Sequence, residues 1–453
     1  MSNRLVFANQ LRGVAAASVA FSHLVGVYWL IRPAVVAATF TPPLEGPNSP
    51  LVALVLHPWF NLGPFGVALF FLISGLVIPI SLDKHTPGSF LLARLLRIYP
   101  TYVAAVLVEV AVLRANARYW GIPFPYGTWT ILSNCLLIQD YVRQSYLDLV
   151  SWTLCVELRF YVVVALMAAA VRRGSVVALL AVALGALALN LVVATGLLGP
   201  HVPDPVLPTF ALSTESLFVV FMLIGVLFNY HLRGRLSTAG LLLWTAVLGT
   251  VFVLCWRESV LASQFPSNTY NYACALAVFA LLYAARRRVP RNPVLDALAS
   301  ISFPLYLVHS LVGYSVLKLA MLAWGWGYPA ALALAILAVV LLAAGLHVAV
   351  EVPTMRMGQG LAPRARRRKP LSAPVVPLAE KSTGGLPHEQ PRRRLQDLGR
   401  VGFVQQRRVR VVVADRAHEV AARFVEVEAH DGAGRRNVEA GPDDQALAHR
   451  RRV

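Results

Sequence analysis

The stretch Tyr328–Val350, YPAALALAILAVVLLAAGLHVAV, contains no Asp, Glu, Lys or Arg. A helix needs about 20 mostly apolar residues to cross the ~30 Å hydrocarbon core of a bilayer, so this stretch predicts a transmembrane helix. The whole chain has the same character, since 57% of its 453 residues are hydrophobic and only 14% are charged. Soluble globular domains carry about 25% charged residues, so the composition argues against a soluble protein and excludes a wholly disordered chain.

Nine further apolar stretches resemble this one in length and composition. No small-residue cleavage site follows the first of them, so we expect it to be retained as a membrane helix. The chain is therefore predicted to be an all-α, polytopic membrane protein with about ten transmembrane helices. The predicted spans are about 11–31, 62–82, 98–113, 151–171, 175–197, 214–230, 238–256, 269–285, 300–321 and 328–350.

The positions of Lys and Arg predict the orientation of these spans. If the N-terminus is cytoplasmic and ten spans alternate, thirteen Lys and Arg residues fall in inner segments and five in outer ones. Because cytoplasmic loops are enriched in Lys and Arg, both termini are predicted to be cytoplasmic. Two long outer loops, 32–61 and 114–150, are rich in aromatic residues, which suits interface anchoring or an acceptor site.

The C-terminal part of the chain differs from the rest. Residues 364–453 hold 20 Lys and Arg against 11 Asp and Glu, which is +9 of the net +19. We therefore predict a membrane domain over 1–360 and a disordered, charged cytoplasmic tail over 361–453, with a short strand at 407–413 and a weak helix at 415–429. The basic residues 366–369 suit contact with anionic lipid. A nucleic-acid-binding tail is the less favoured interpretation of the Arg runs.

The cysteines predict no metal site. Cys135, Cys155, Cys255 and Cys274 are scattered, and no Cys-x-x-Cys pair is present. Such spacing indicates neither a disulfide framework nor a zinc site.

Ionisable residues inside a span are costly, so each is a functional candidate. Arg12 and His23 lie eleven residues apart on the first span, which is ~16 Å along a helix and close to three turns. Both therefore face the same side, with Arg12 at the cytoplasmic end and His23 beyond mid-depth. A buried His is also compatible with a purely structural role.

Glu157 is predicted to lie near the depth of His23. Counted from the outer ends of their spans, Glu157 is ~9 Å deep and His23 ~12 Å deep. A carboxylate beside an imidazole fixes its tautomer and stabilises the imidazolium, as a general base requires. The alternative is a structural ion pair of Glu157 with Arg12 or with Arg159, although residues two apart do not share a helix face.

Further polar positions are open to two interpretations each. Arg94 and Arg97 share a helix face at i,i+3 and suit phosphate binding, or they are simply positive-inside charge. Ser74, beside Gly75, suits close helix packing or an oxyanion contact. His309 suits a cavity lining or helix packing, and Lys318 is predicted to snorkel toward the outer surface.

Six segments of the sequence contain these residues or lie close to them. In their order along the chain they resemble the acyltransferase-3 family of integral membrane acyltransferases, and the resemblance covers residues 1–360. The segments are LRGVAAASVAFSH (Leu11–His23), GVALFFLISGL (Gly66–Leu76), RLLRIYP (Arg94–Pro100), SWTLCVELRFY (Ser151–Tyr161), ISFPLYLVH (Ile301–His309) and EVP (Glu351–Pro353).

The resemblance implies a protein of the bacterial cytoplasmic membrane that uses a cytoplasmic acyl-CoA, often acetyl-CoA, as donor. The acceptor it implies is a sugar hydroxyl of a surface glycan, a glycolipid or a secondary metabolite. It further implies that His23 is the catalytic histidine and that Glu157, the acid of the Ser-Trp-x-Leu-x-x-Glu segment, is also catalytic, with Arg12, Arg94 and Arg97 on the donor side.

The chain departs from the family pattern after the acid. Family members often have Glu-Glu-Gln where this chain has Glu157-Leu158-Arg159. Arg159 is therefore expected to favour an anionic acceptor, with Ser74 and His309 as further substrate-binding candidates.

A proton-coupled exporter or flippase is the alternative function, since buried His, Glu and Arg also suit transport. Transporters often contain internal repeats, and none is evident between 1–180 and 181–360. A requirement for CoA distinguishes the two functions.

Overall fold

The computed structural model describes residues 5–57, 59–195, 209–259 and 261–360. The chain divides into two units, Met1–Ala365 and Arg366–Val453, and all described residues belong to the first. The strand predicted at 407–413 and the helix predicted at 415–429 lie outside the described residues.

Nearly all regular structure in the described part of the chain is helical, which confirms the all-α prediction. The α-helices are α1 (Val6–Phe21), α2 (Tyr28–Leu30), α3 (Arg32–Thr39), α4 (Val52–Val55), α5 (Leu62–Leu82), α6 (Pro87–Trp120), α7 (Thr128–Cys135), α8 (Trp152–Leu166), α9 (Ala168–Arg173), α10 (Val176–Ala194), α11 (Thr209–Leu232), α12 (Thr238–Glu258), α13 (Leu261–Gln264), α14 (Asn268–Ala284), α15 (Pro293–Ser300), α16 (Ser302–Val308), α17 (Leu311–Lys318), α18 (Tyr328–Leu346) and α19 (Val352–Gly360). Three π-helical segments interrupt this series, at Ser22–Val27, Leu319–Ala323 and His347–Glu351. Two short strands, β1 (Leu56–His57) and β2 (Phe60–Asn61), pair antiparallel.

Within the described residues, seven helical stretches are long and apolar enough to cross a membrane. An eighth candidate is the pair Ser302–Val308 and Leu311–Ala323, which is bent by 53° at its break. The polytopic prediction is confirmed, while the count of ten and the location of the termini stay predictions. The seven are Val6–Leu30, Leu62–Leu82, Pro87–Trp120, Val176–Ala194, Ala211–Leu232, Thr238–Glu258 and Tyr328–Gly358.

The two remaining predicted spans, 151–171 and 269–285, also coincide with helices. The span predicted at 151–171 is divided at Met167 into α8 and α9. The span predicted at 269–285 is α14, whose 17 residues are slightly short for a full crossing.

The helix α5 is central to the fold, because it packs against α1, α11 and α14. Its contact with α11 is backbone to backbone at two glycines. A Cβ on Gly75 would lie 2.1 Å from the carbonyl oxygen of Met222, and a Cβ on Gly225 would lie 2.4 Å from that of Leu72. Both positions therefore require glycine, and the predicted close approach at Gly75 is confirmed.

The first span changes its helical type at the point where it carries its histidine. The helix α1 ends at Phe21, and Ser22–Val27 continue as a π-helix. The hydroxyl of Ser22 donates a hydrogen bond to Oδ1 of Asn61 (3.1 Å), which also accepts from the Gly63 amide at the start of α5. Short π-helical segments widen the helix locally and are frequent at functional sites.

The segment after α2 folds back over the end of α17. The Nζ of Lys318 donates to the carbonyl oxygen of Pro42 at 2.8 Å, and the side chain is buried. The prediction that Lys318 snorkels to the surface is therefore wrong, because its ammonium group donates a hydrogen bond to a loop carbonyl inside the protein.

Candidate active site

One cavity brings together residues from five helices that are distant in sequence. Two arginines, Arg12 of α1 and Arg97 of α6, share it with Ser74 of α5 and Glu157 of α8, and we call it the arginine cavity. Its full lining is Arg12, Val67, Phe70, Phe71, Ser74, Arg97, Thr153, Leu154, Glu157, Ser302, Phe303 and Tyr306. Four residues singled out in the sequence therefore meet in one place.

Glu157 is hydrogen-bonded to hydroxyl groups. Ser74 donates from Oγ to Glu157 Oε1 at 3.4 Å, and the hydroxyl of Tyr161, one turn further along α8, donates to the same oxygen. Within the described ranges Glu157 forms no ion pair. The alternative of a structural pair between Glu157 and Arg12 or Arg159 is therefore wrong.

Arg94 lies behind the cavity wall. Its guanidinium carbon is 5.7 Å from the ring centroids of both Phe90 and Tyr161, and its Nε has no hydrogen-bond partner in the described part of the chain. Arg94 and Arg97 both approach the Glu157–Tyr161 pair, Arg94 through the Tyr161 ring and Arg97 through the shared cavity. Three guanidinium groups therefore surround one carboxylate, which leaves a surplus of positive charge.

A second buried carboxylate lies close to this cluster. Glu351, from the EVP segment, accepts a hydrogen bond from His347 Nδ1 at 2.7 Å, one turn earlier on the π-helix His347–Glu351. Arg12 is within electrostatic range of both Glu157 and Glu351. Neither carboxylate forms an ion pair with Arg12, so the guanidinium remains available to an anion.

His23 lies in a separate polar region. Its Nδ1 is 2.9 Å from the hydroxyl of Tyr314, and its ring meets the ring of His309 edge-on, with centroids 4.9 Å apart. The side chain is partly exposed, and its Nε2 has no hydrogen-bond partner among the described residues. One ring nitrogen is therefore fixed and the other is free.

His309 is fully buried beside His23 and does not line the arginine cavity. Its Nδ1 lies 2.8 Å from the carbonyl oxygen of Tyr306 and 3.2 Å from that of Leu305. A carbonyl only accepts, so Nδ1 carries the proton and Nε2 holds the lone pair. That Nε2 has no partner in the described chain.

Arg12 and His23 both face α16, which agrees with the prediction that they share one side of their helix. Arg12 meets the start of α16 at the arginine cavity, and His23 meets its end at His309. Tyr306 stands between, because it lines the cavity and its ring centroid is 5.7 Å from that of His309. The cavity and the histidine pair are thus neighbouring compartments along one helix.

The structure does not bring Glu157 to His23. The hydroxyl of Thr153 donates to that of Tyr306 at 2.9 Å, and Glu157 lies one turn beyond Thr153 on the arginine side. Similar depth along two helices does not bring two side chains together, because their contacts also depend on the faces that the helices turn toward each other. In the buried turn before α8, Asp148 accepts hydrogen bonds from the amides of Val150 (2.8 Å) and Ser151 (2.6 Å).

Arg159 is paired at a distance from the cavity. It forms an ion pair with Glu215 of α11 and donates to the hydroxyl of Tyr141. The prediction that Arg159 recognises an anionic acceptor is therefore not supported, because its charge is already paired with Glu215. Glu215, Asp140 and Cys155 place possible metal-ligand atoms within 4.8 Å of one another, but Arg159 and Tyr146 already bind the two carboxylates.

Several polar residues near the site were missed in the sequence. No sequence pattern marks Tyr161, Tyr306 or Tyr314 as functional, because tyrosine is common in membrane proteins. The sequence does mark Glu109 and Glu215 as candidates, since each is an ionisable residue inside a predicted span.

Comparison with known proteins identifies the family of the chain. Residues 5–348 match the family model described as "Acyltransferase domain". Nodulation protein 10 of Rhizobium leguminosarum bv. viciae is 26% identical over 331 residues, which cover 66% of this chain and 84% of that protein. No solved structure matches the chain. The family match includes Arg12, His23, both arginines of α6, Glu157 and His309, and the chain therefore belongs to the acyltransferase-3 family of membrane acyltransferases.

Proposed function

We propose that this protein is a membrane O-acyltransferase that moves an acyl group, in the first instance acetyl, from cytoplasmic acyl-CoA to a hydroxyl of a sugar-containing acceptor. The observation that carries the proposal is the arginine cavity and its neighbouring histidine. A surplus of guanidinium groups lies at one end of α16, and a histidine with one free nitrogen lies at the other end.

The arginine cavity suits the phosphate-bearing end of the donor. Guanidinium groups bind phosphate oxygens through paired hydrogen bonds, and these are strong in a site that excludes water. Acyl-CoA carries its phosphates at one end and its thioester at the far end of a flexible arm. Arg12 and His23 are ~16 Å apart along their helix, so such an extended ligand is required to reach both.

His23 is the proposed general base. The free Nε2 takes the proton of the acceptor hydroxyl as its oxygen bonds to the thioester carbonyl carbon. The carbon–sulfur bond then breaks, and the CoA thiolate leaves and receives that proton. For Nε2 to be basic, Nδ1 must carry the ring proton, and in this scheme its N–H donates a hydrogen bond to the oxygen of the Tyr314 hydroxyl.

Glu157 acts at the donor end in this scheme. It offsets part of the positive charge of Arg12, Arg94 and Arg97, and it orients the hydroxyls of Ser74 and Tyr161. The protein would act in the bacterial cytoplasmic membrane, with the arginine cavity toward the cytoplasm and the acceptor entering from the opposite side.

The test is donor chemistry on the purified full chain in lipid nanodiscs. Radiolabelled acetyl-CoA, followed by a series of longer acyl-CoAs, is added to wild type and to His23→Ala, and free thiol is measured. We expect thiol release that His23→Ala abolishes while CoA binding persists. His231→Gln is the matched control, because His231 bonds to Tyr283 and Thr238 outside the site.

Two outcomes would overturn the proposal. Thiol release by His23→Ala at nearly the wild-type rate would remove the histidine from the mechanism. A wild-type protein that neither binds CoA nor releases thiol would favour the exporter instead.

A further inference from the structure

An open groove lies at the end of α6 that is remote from the arginine cavity. Its volume is about 630 Å³, and it is lined by residues of the last turns of α6 and of the segment that follows them. We call it the α6 groove. It shares no described residue with the arginine cavity. It is therefore a separate feature of the fold.

One side of the α6 groove is a single face of the helix. Ala111, Arg114, Ala115 and Arg118 line it at the spacing i, i+3, i+4 and i+7, which places them on one face. All four are exposed. The small alanines leave room between the helix and its surroundings, and the two arginines lie at the end of this space nearer the end of α6.

The other side is formed by the chain that follows the helix. The helix α6 ends at Gly121, whose φ of 68° is one that glycine adopts without strain. The amide of Ile122 donates to the carbonyl oxygen of Ala117 at 2.9 Å, so the chain turns back at once. The Phe124 ring then packs edge-on against Phe40, with centroids 5.8 Å apart. Ile122 and Phe124 therefore add an apolar wall to the groove.

The two arginines of the α6 groove have no anionic partner. Neither Arg114 nor Arg118 forms an ion pair with a described residue, and no described Asp or Glu lines the groove. The guanidinium carbon of Arg114 is 5.2 Å from the ring centroid of Phe124. Two guanidinium groups one helical turn apart can bind the oxygens of a single phosphate through paired hydrogen bonds.

The position of the groove along α6 matches a membrane boundary. The apolar stretch 98–113 separates Arg97 from Arg114, and Arg118 lies 21 residues after Arg97 on the same continuous helix. That separation is ~31 Å along the axis, close to the ~30 Å hydrocarbon core of a bilayer. The exposed Tyr119 and its neighbour Trp120 follow, and such aromatic residues are enriched at membrane–water interfaces. The two arginines therefore lie at the level of lipid phosphates.

We propose that the α6 groove binds an anionic phospholipid of the surrounding membrane. Its phosphate contacts Arg114 and Arg118, and one acyl chain runs past Ala115 and Ala111 toward the middle of the bilayer. A zwitterionic headgroup fits less well, because the two guanidinium groups repel its ammonium. A free phosphate would leave the apolar walls uncovered. No step of this inference depends on the proposed acyl transfer.

The experiment measures lipid binding by the purified full chain, with native mass spectrometry in detergent. Phosphatidylglycerol, phosphatidylcholine or glycerol 3-phosphate is titrated in, and the dissociation constant of the first bound molecule is determined. Wild type is compared with Arg114→Gln combined with Arg118→Gln. The matched control is Arg173→Gln combined with Arg257→Gln, which removes two charges from exposed positions on other helices.

A second variant tests the apolar part of the groove. Ala115→Leu keeps both arginines and fills the space along the helix face, at an exposed position where a larger side chain is compatible with folding. Melting temperatures without added lipid show that each variant is folded.

We expect the Arg114 and Arg118 double variant to weaken phosphatidylglycerol binding by about tenfold or more, since charge-assisted hydrogen bonds to the phosphate are lost. Ala115→Leu should weaken it by severalfold, and the control pair should stay within about twofold of wild type. Wild type should bind phosphatidylcholine and glycerol 3-phosphate at least tenfold more weakly than phosphatidylglycerol.

Four results would overturn the assignment. Unchanged phosphatidylglycerol affinity in the double variant would place the lipid elsewhere, and equal losses in the control pair would indicate nothing more than a general effect of charge. Equal affinity of wild type for phosphatidylcholine would show that the headgroup charge is not recognised. Binding of glycerol 3-phosphate as tight as that of the lipid, with Ala115→Leu unaffected, would indicate a site for free phosphate.

Discussion

The ring of His23 lies edge-on to the ring of His309, with centroids 4.9 Å apart and planes at 79°. On its other side His23 stacks at 15° on Tyr314, whose hydroxyl is 2.9 Å from its Nδ1. Two aromatic neighbours therefore restrict the rotation of the imidazole, and one of them also forms a hydrogen bond with it. Such restraint keeps the free nitrogen in one direction, which is what a general base needs.

Tyr314→Phe should lower kcat by about fivefold with little change in the KM for acyl-CoA. The ring remains, so packing is retained, but the hydrogen bond to His23 is lost, and such a bond contributes about 1 kcal/mol. Initial rates of thiol release check this, with Tyr270→Phe as the control at an exposed position. An unchanged kcat would show that the tautomer is set by another group.

Arg94→Ala combined with Arg97→Ala should raise the KM for acetyl-CoA by about a hundredfold and lower kcat much less. Arg97 would lose a charge-assisted contact of about 1.5–3 kcal/mol to a phosphate, and the positive charge of Arg94 behind the cavity wall would no longer attract that phosphate. Acetyl-pantetheine, which lacks the nucleotide phosphates, should be used equally well by wild type and the double variant. A defect of the same size with both donors would contradict phosphate binding, and Arg173→Ala is the control on an exposed residue.

Arg159→Gln should destabilise the protein by up to about 3 kcal/mol, because it leaves Glu215 buried without its cation. Adding Glu215→Gln should recover most of this loss, since the uncompensated charge is then absent. Thermal unfolding in detergent, followed by tryptophan fluorescence, compares the single and double variants. Additive losses would argue against the ion pair as the source of the stability.

Gly75→Ala should lower the melting temperature and the yield of folded protein, because its methyl group would collide with the carbonyl oxygen of Met222. Overpacking of this kind typically costs about 1–3 kcal/mol. Gly249→Ala is the matched control within a helix, since a Cβ there meets nothing within 4 Å. Equal melting temperatures for the two variants would show that α5 and α11 can separate without cost.

Hydropathy and spacing located helices at all ten predicted spans, because apolar length is a strong local signal. The same reasoning selected Arg12, Ser74, Arg97 and Glu157, which the fold gathers at one cavity. Positions on one helix are predictable because they depend only on the helical period.

Relations between helices were less predictable. Positions counted along one helix do not determine which neighbouring helix a side chain meets, and the fold places Glu157 beside Arg12 and Arg97 rather than at His23. Glu109 satisfied the rule for buried ionisable residues and was overlooked because no recognisable motif surrounds it.

On the proposed function, the surplus positive charge of the arginine cavity also ties the lifetime of the protein to its supply of acyl-CoA. Like charges that are only partly offset by carboxylates oppose folding, and an anion that binds only the folded state lowers that opposition. At a concentration one hundred times its dissociation constant, such a ligand adds about 2.7 kcal/mol to the free energy of unfolding. Cells depleted of the ligand would therefore hold a protein that is not merely idle but easier to unfold and degrade.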